Sequence, residues 1–178
     1  MTGDKPRYLT REELEAGIAP QPALPPSAML RLGLTPAGLR LDEACVRATG
    51  FSYVSWLASR GRGIGYQPAL VLTTLGAKSR QKRCCVLPYS WTGAEYLVMG
   101  SHAGGPRDPY WVSNLRVDPA SEVHVRRRAV STTGRILDGA ERDEAMALIA
   151  RKRTQIYNYE AHARAHGRRV EIAALRPV

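Results

Sequence analysis

Several features that define common classes of protein are missing from this sequence. The 178 residues contain no apolar run of the roughly 18 residues that a membrane-spanning helix needs. The N-terminus carries acids and prolines where a secretory signal peptide has its apolar core. We therefore expect a cytoplasmic protein, and the length fits one domain with an appendage.

Cysteine is scarce, and its spacing does not indicate a disulfide framework. The three cysteines, Cys45, Cys84 and Cys85, give an odd number, and two of them are neighbours on a predicted strand. None of them has metal-ligand spacing to another cysteine or to histidine. His162 and His166 stand four residues apart on a predicted helix, but no third ligand accompanies them. We expect reduced thiols and no metal site.

Motifs of the common enzyme classes are absent as well. The sequence has no G-x-G-x-x-G after a strand, no Walker loop, no G-x-S-x-G elbow and no H-E-x-x-H. With so little acid–base machinery in view, a bound cofactor that brings its own reactivity is the economical source of any catalysis. Hydride transfer is the reaction that this favours.

Acidic residues are missing from a long central segment. Between Ala44 and Ala94 there is no Asp or Glu, while the chain as a whole carries a net charge of +10. The cations of this segment are Arg47, Arg60, Arg62, Lys78, Arg80, Lys82 and Arg83. A solvated surface interleaves the two signs, so this segregation favours an anion-facing side. Nucleic acid, a membrane surface and a polyanionic small molecule are the partners that the charge allows.

We interpret the first 40 residues as a proline-rich N-terminal arm, followed by a domain over residues 41–178. Six prolines disfavour long helices and ladder pairing there, so the arm is predicted to be extended, with one short helix near Thr10 to Ala16. Thr10 and Glu13 can form a capping box. A second helix is predicted over Leu41 to Ser59, which either packs on the domain or lies partly at a membrane interface.

Short β-branched and aromatic runs predict the strands of a mainly β, α+β domain. They are Ala69 to Thr74, Cys84 to Ser90, Tyr96 to Gly100, Glu122 to Val125, Val130 to Leu137 and Arg169 to Leu175. Thr92-Gly93 predicts a hairpin between the second and third runs. Asp138 to about His166 has the composition of one long helix. Together these elements predict a small antiparallel barrel with peripheral helices.

The turn between the first two predicted strands has the composition of an anion clamp. Gly76 permits a tight backbone, Ser79 offers a hydroxyl, and Lys78 and Arg83 offer charge, with two more cations beside them. A solvated loop is the alternative for such a basic hairpin taken alone.

Three blocks of sequence carry a resemblance to a known family. They read L-T-T-L-G-A-K-S-R-Q-K-R from Leu72 to Arg83, S-H-A-G from Ser101 to Gly104, and P-Y-W-V-S-N-L-R-V-D-P from Pro109 to Pro119. The blocks and their separations resemble the deazaflavin-dependent nitroreductases, also called F420-dependent quinone reductases. The family pattern is L-T-T-x-G-R-K-[ST]-G-x-x-R, then S-K-G-G, then P-x-W-x-x-N-L-x-A-N-P. The resemblance extends in general order over about Ser55 to Pro177.

The resemblance implies a split antiparallel β-barrel of about six strands that binds coenzyme F420, whose phospholactate and oligoglutamate tail is anionic. It also implies hydride transfer from the reduced deazaflavin to a quinone-like, nitro or other conjugated small-molecule acceptor. The positions matched to cofactor binding are Lys78, Ser79, Arg83, Cys85, Val86, Ser101, His102, Ala103, Gly104, Tyr110, Trp111, Asn114 and Arg116. The family places tyrosines on the last helix, so Tyr157 and Tyr159 are the candidates for catalysis, and the Ser101 hydroxyl is a third candidate.

Departures from the family pattern leave alternatives open. This chain has Ala77 where the family usually has Arg, and Arg80 where it usually has Gly. It has His102 where Lys is common and Val86 where Pro is common. FMN, which related split barrels bind, is the alternative cofactor. For the third block, the alternative is that Trp111 belongs to the core and Asn114 caps a turn.

Two other functions fit the same features. One is a non-catalytic F420 or lipid carrier that keeps the clamp without turnover. The other is a nucleic-acid-binding barrel, but no aromatic residue interrupts the basic run from Thr73 to Arg83, so we expect no nucleic-acid partner. Peripheral membrane contact is expected because quinones partition into lipid. The protein is expected to be a monomer or a homodimer.

Overall fold

Six antiparallel strands close into a barrel. The computed structural model describes residues 7–20 and 26–178. Within them the strands are β1 (Ala69–Leu75), β2 (Lys82–Trp91), β3 (Tyr96–Gly100), β4 (Ala120–Val125), β5 (Arg128–Ile136) and β6 (Glu171–Pro177). Their order around the barrel is β1-β2-β3-β6-β5-β4, and β4 pairs again with β1. Every pairing is antiparallel, which confirms the predicted barrel.

Seven α-helices surround the barrel in the described part of the chain. They are α1 (Arg11–Glu15), α2 (Ala28–Gly33), α3 (Pro36–Thr49), α4 (Tyr53–Gly61), α5 (Tyr110–Val117), α6 (Gly139–Ala150) and α7 (Ile156–Ala165). The predicted first helix is confirmed with its capping box, because Thr10 and Glu13 each accept the other's amide proton with their side chains. The predicted hairpin is confirmed too, since the Thr92 amide donates to the Glu95 carbonyl.

The prediction of one continuous helix from Leu41 to Ser59 is wrong, because two helices cover this range. The first of two helices, α3, begins earlier, at Pro36, and ends at Gly50, whose φ of +78° lies in the left-handed region. The Ser52 hydroxyl then accepts from the Ser55 amide and starts α4. A glycine in the left-handed conformation followed by a serine cap is a regular way to end one helix and begin another.

The long helix predicted from Asp138 to His166 is also divided, into α6 and α7. The residues between them, 151–155, form a turn in which Arg153 and Gln155 are buried. Arg153 donates from Nε to Gln67 Oε1 at 3.0 Å, so the turn reaches the chain that leads into β1. No glycine or proline marks this break in the sequence, which is why composition alone predicts one continuous helix.

Apolar side chains fill two layers, one inside the barrel and one outside it. Inside, residues such as Val98 pack with Trp111 of α5. Outside, Leu97 and Ile172 pack against α6 and α7. Neighbours such as Leu97 and Val98 fall into different layers because side chains alternate along a strand. Helix α3 contacts β1, β2 and β4, so helices cover much of the wall and a ligand can approach at the ends of the barrel.

The N-terminal segment packs against the domain where the structure describes it. The Leu9 amide donates to Asn158 Oδ1 on α7 at 2.7 Å, and the Tyr8 hydroxyl donates to the Arg62 carbonyl at 3.1 Å. Residues 1–6 and 21–25 of the predicted arm lie outside the described residues. Helix α2 and the start of α3 lie where extended chain was predicted, so that part of the prediction is wrong; the division at residue 40 stays a prediction.

Among the described helices, none is long and apolar enough to cross a membrane.

Candidate active site

The three sequence blocks that resemble the family meet at one end of the barrel. The β1–β2 turn (residues 76–81), the loop after β3 (residues 101–109) and helix α5 all lie at this end, because β1 and β3 end here and β2 begins here. The end of β3 and the helix are in contact: a Cβ added at Gly100, the last residue of β3, would lie 3.1 Å from Val112 of α5. The fold thus brings together the segments that were predicted to bind a cofactor.

Asn114 joins helix α5 to the β1–β2 turn. Its Nδ2 donates to Thr74 Oγ1 at 2.9 Å, and its Oδ1 accepts from the Ala77 amide at 2.9 Å. A second link is the ion pair between Arg80 and Asp118, 3.0 Å long, at the C-terminal end of α5. Asn114 therefore holds a turn, as one sequence interpretation proposed, and in doing so it fixes where the cations of that turn lie.

Three cations, in the turn and at the start of β2, are open to solvent. Lys78, Lys82 and Arg83 are exposed, and none of them forms an ion pair with a carboxylate in residues 7–20 or 26–178. The backbone is tight at Gly76, where an added Cβ would lie 2.6 Å from Ser79 Oγ. Exposed, unpaired charge on a fixed backbone is suited to binding an anion.

The loop after β3 has an unusual backbone. Ser101 lies in the right-handed helical region, with φ −66° and ψ −38°, whereas His102, Ala103 and Gly104 have φ values of +43°, +52° and +78°. A right-handed residue followed by a left-handed one turns successive amides to one side, an arrangement that binds anions. His102 and Ala103 are exposed, and two left-handed non-glycine residues cost free energy unless surrounding contacts hold them.

Arg168, which follows α7, provides those contacts. Its guanidinium donates to the Gly105 carbonyl at 2.6 Å and to the Ser101 carbonyl at 2.8 Å. It also pairs with Asp108 at 3.1 Å. Sequence reasoning missed Arg168, because a single arginine beyond the end of a helix carries no signal for the anchoring of a distant loop.

Helix α7 touches the same loop at Gly104. A Cβ added there would lie 2.5 Å from His162 Cβ and 3.2 Å from the Tyr159 carbonyl oxygen. Glycine is the residue that combines such an approach with a positive φ at little cost. The contact brings the backbone of Tyr159, one of the predicted catalytic tyrosines, to the loop.

Tyr157 and Tyr159 lie on different sides of α7, since two residues turn a helix by about 200°. Tyr157 packs against the outer apolar layer and lines a cleft of about 60 Å³, which is too small for a quinone. Tyr159 faces Arg62, whose guanidinium carbon lies 6.0 Å from the ring centre. Burial raises the pKa of Tyr159, and the cations Arg62 and Arg153 oppose that rise.

Trp111 lies in the barrel core, as the alternative sequence interpretation proposed. It is 5% exposed, and its Nε1 has no hydrogen-bond partner among the described residues. Because buried N–H groups are almost always paired, this one indicates a missing acceptor, such as a ligand or a water. Tyr110, the residue before it, is 88% exposed at the start of α5.

Two other residues predicted to bind the cofactor, Cys85 and Arg116, have evident structural roles. Cys85 packs against the barrel core, where burial raises the pKa of its thiol to about 12. Val86, the next residue of β2, faces the opposite side of the strand. Arg116 pairs with Glu171 at 2.7 Å and with Asp108 at 3.6 Å. Their part in cofactor binding stays a prediction.

A six-stranded antiparallel barrel with exposed cations and a loop of left-handed residues at one end is typical of the split-barrel reductases that bind flavins or deazaflavins. The sequence model of the F420H2-dependent quinone reductases matches residues 46–177, which is more than half of the 178 residues. The chain therefore belongs to the F420H2-dependent quinone reductase family, and the resemblance found in its sequence is confirmed.

Individual relatives agree with this assignment. The F420H2-dependent quinone reductase Rv1261c of Mycobacterium tuberculosis is 36% identical over 108 residues, which cover 60% of this chain and 68% of the relative. A relative from Mycobacterium bovis matches to the same extent. The solved structure of the F420H2-dependent reductase FDR-A is 25% identical, with a TM-score of 0.55, and covers 61% of this chain and 94% of its own. A structure described as a domain-swapped dimer supports the fold alone, with 23% identity, a TM-score of 0.56 and coverage of 70% and 100%.

Proposed function

We propose that this chain is an F420-dependent oxidoreductase that reduces a quinone-like acceptor. Reduced F420, when bound, supplies the hydride, and the protein supplies binding, orientation and a proton. The observation that carries the proposal is the meeting of three features at one end of the barrel: the unpaired cations of the β1–β2 turn, the left-handed loop after Ser101 and the unsatisfied Nε1 of Trp111. Together they suit a long ligand with an anionic part and a ring that carries hydrogen-bond acceptors.

Lys78, Ser79 and Arg83 are the residues proposed to bind the anionic tail. Their side chains are exposed on a turn that Asn114 holds in place through the Ala77 amide. Charge-assisted hydrogen bonds to anionic oxygens are the strong contacts that such groups make. The amides of the loop after Ser101 offer a second anion-binding surface at the same end of the barrel.

Tyr159 is the residue proposed to donate a proton to the acceptor. A quinone oxygen gains negative charge as hydride arrives, and a phenol can donate its proton to that oxygen. Because burial raises the pKa of Tyr159, the phenol stays protonated near neutral pH, and Arg62 and Arg153 stabilise the phenolate that donation leaves behind. The Ser101 hydroxyl is the alternative donor, whereas Tyr157 faces away from this side of α7.

A spectral titration with F420 and with FMN tests the cofactor. F420 should bind with an affinity of about micromolar or tighter, and FMN, which lacks the polyanionic tail, should bind more weakly. Loss of the absorbance of reduced F420 on addition of menadione then tests the reaction. Tight F420 binding without turnover on several quinones and nitroaromatics would favour the carrier function, and tighter binding of FMN would favour the alternative cofactor.

We also propose peripheral contact with an anionic membrane through α2. Met29 and Leu32 are 64% and 70% exposed, and α2 has Arg31 but no acidic residue. Exposed apolar side chains next to cations suit the interface of an anionic bilayer.

Flotation with vesicles tests this contact. The double change Met29→Ser and Leu32→Ser should reduce flotation with vesicles that contain phosphatidylglycerol. The control Val117→Ser, at a 60% exposed valine at the end of α5, should float as the parent does. Equal flotation of all three proteins, or none by the parent, would contradict the proposal.

A further inference from the structure

A large cavity opens at the other end of the barrel. Its volume is about 850 Å³, which is within the range of small-molecule sites, and the mouth of a β-barrel is a common place for one. The wall of the cavity includes the ends of β2 and β4, the start of β3 and the α6–α7 turn. The residues that matter for its chemistry are Tyr66, Tyr89, Trp91, Tyr96, Arg126 and Lys152.

This cavity is separate from the candidate active site. The active-site turn follows the end of β1, whereas the cavity lies where β1 begins. The seven residues of β1 separate the two ends of the barrel by about 20 Å. None of the residues predicted to bind the cofactor lines the cavity.

Aromatic side chains form much of the wall, and they are packed on one another. The Tyr89 and Tyr96 rings meet edge to face with centres 5.5 Å apart, and the Trp91 and Tyr96 centres are 4.5 Å apart. Tyr66 stacks on Phe51 at 5.0 Å. Rings fixed in this way lose little freedom when a planar ligand packs against them, so they favour an aromatic guest.

The charged residues of the wall have one sign. Arg126 and Lys152 line the cavity, no Asp or Glu does, and neither cation forms an ion pair with a carboxylate in the described part of the chain. The Lys152 carbonyl accepts from Gln67 Nε2 at 3.0 Å, which fixes the backbone from which the lysine extends. The wall therefore favours a ligand that carries an anionic group.

Arg126 also occupies a costly backbone position. The β4–β5 turn consists of Arg126 and Arg127, with φ values of +49° and +64°, where two-residue turns favour Asn and Gly. The turn packs on Gly50 at the end of α3, whose added Cβ would lie 3.6 Å from Arg126 Cα. A non-glycine residue held in this region at the edge of a cavity is a reason to look for a function of its side chain.

From the cavity, its rings and its two cations we infer a second ligand site, which takes a planar aromatic acid. The ring of the ligand packs among Tyr66, Trp91 and Tyr96, and its acid group meets Arg126 and Lys152. This second site lies at the end of the barrel opposite the proposed hydride-transfer site, and its existence does not rest on the proposed function.

Calorimetric titration of the full chain with 2-naphthoate tests the inference, with uncharged 2-naphthamide as the ligand of matched shape. The acid should bind about tenfold more tightly than the amide, because only the acid can pair with the two cations. Trp91→Ala should weaken both ligands, since it removes a ring from the wall. Saturating F420 should leave the affinity for 2-naphthoate unchanged.

Arg126→Asn and Arg127→Asn form a matched pair of variants. Each removes one positive charge from the same turn and replaces a left-handed arginine by a residue that tolerates this conformation, so neither should lower Tm. Arg126→Asn should weaken 2-naphthoate about threefold, since Lys152 remains, and leave 2-naphthamide unaffected, whereas Arg127→Asn should change neither.

Four results would overturn the inference. They are no binding of 2-naphthoate by the parent, equal affinity for acid and amide, equal losses in the two arginine variants, and displacement of 2-naphthoate by F420.

Discussion

The Nδ2 of Asn114 lies 2.9 Å from the Oγ1 of Thr74, in a hydrogen bond buried between helix α5 and strand β1. The other end of the same amide accepts from the backbone N–H of Ala77 at 2.9 Å. One side chain thus satisfies a strand hydroxyl and a turn amide at once. The turn that presents Lys78 and Arg83 is therefore positioned by α5.

Asn114→Ala should lower the free energy of unfolding and loosen the turn. It leaves the Thr74 hydroxyl and the Ala77 amide without this partner, and an unpaired buried polar group costs about 1–3 kcal/mol. Thr74→Val removes one of the two bonds and leaves the Ala77 bond intact, so it should cost less. Urea denaturation measures both, and F420 affinity should fall more in Asn114→Ala. If both changes lowered F420 affinity equally, Asn114 would not be the residue that positions the turn.

Lys78→Ala and Arg83→Ala should each weaken F420 binding about tenfold, since each removes a charge-assisted contact with the tail. Arg80→Ala is the matched control from the same turn, because the Arg80 side chain is already paired with Asp118 at 3.0 Å. It should have a smaller effect. Affinity of the parent should also fall as salt rises, because exposed charges are screened. If all three variants bind as the parent does, the turn does not bind the tail.

Gly104→Ala should disturb the contact between the loop after β3 and α7. The added methyl group meets His162 Cβ at 2.5 Å, and alanine is strained at a φ of +78°. Gly167→Ala has a similar φ of +70° but meets nothing within 4 Å, so it measures the backbone strain by itself. Gly104→Ala should lower Tm well beyond Gly167→Ala and weaken F420 binding. Similar Tm values for the two variants would show that the loop does not need this close approach.

The barrel was predictable because its strands carry local signals. β-branched and aromatic runs bounded by turns gave all six strands, and the Thr92-Gly93 turn gave the second hairpin. The helices were less predictable at their ends. Gly50 ends α3 inside a pattern that stays apolar on both sides, and the turn around Arg153 has no breaker residue, so both breaks depend on tertiary packing.

The candidate site was predictable as a set of segments, but not in its contacts. The three sequence blocks meet, because the barrel brings the ends of β1 and β3 together. The hydrogen bond from Asn114 to Thr74 joins residues 40 positions apart, and that from Arg168 to Ser101 joins residues 67 apart. No local pattern encodes such pairs. The second cavity could not be predicted for the same reason, because its rings and cations come from five separate segments of the chain.

Cys85 should titrate far above its ordinary value, and this has a measurable consequence. Burial raises the pKa of its thiol from 9.0 to about 12, so between these values it ionises in the unfolded chain but not in the folded one. The stability contributed by this group is complete below about pH 9 and is lost as pH rises toward 12, by up to about 1.4 kcal/mol per pH unit. The stability difference between the parent and Cys85→Ala should therefore shift against the parent from about pH 8 to about pH 10.5.

Alkylation gives an independent check on the same thiol. Iodoacetamide at about pH 8 should modify the exposed Cys84 in the folded protein and reach Cys85 only after unfolding. Labelling of Cys85 in the folded state at a rate like that of Cys84 would contradict the burial of its thiol.

Tyr159→Phe should lower the rate of menadione reduction by about a hundredfold and leave F420 affinity nearly unchanged, since it removes the proposed proton donor and little else. Tyr157→Phe is the matched control, because it also removes a phenol hydroxyl, but from the side of α7 that faces the outer apolar layer. It should leave the rate close to that of the parent. The raised pKa of Tyr159 means that the donor stays protonated, so the rate in the parent should show no loss from this group up to about pH 9. Stopped-flow absorbance of reduced F420 measures the rates. If Tyr159→Phe turns over as the parent does, the proton comes from another donor, and a loss of rate in Ser101→Ala would then identify it as the serine hydroxyl.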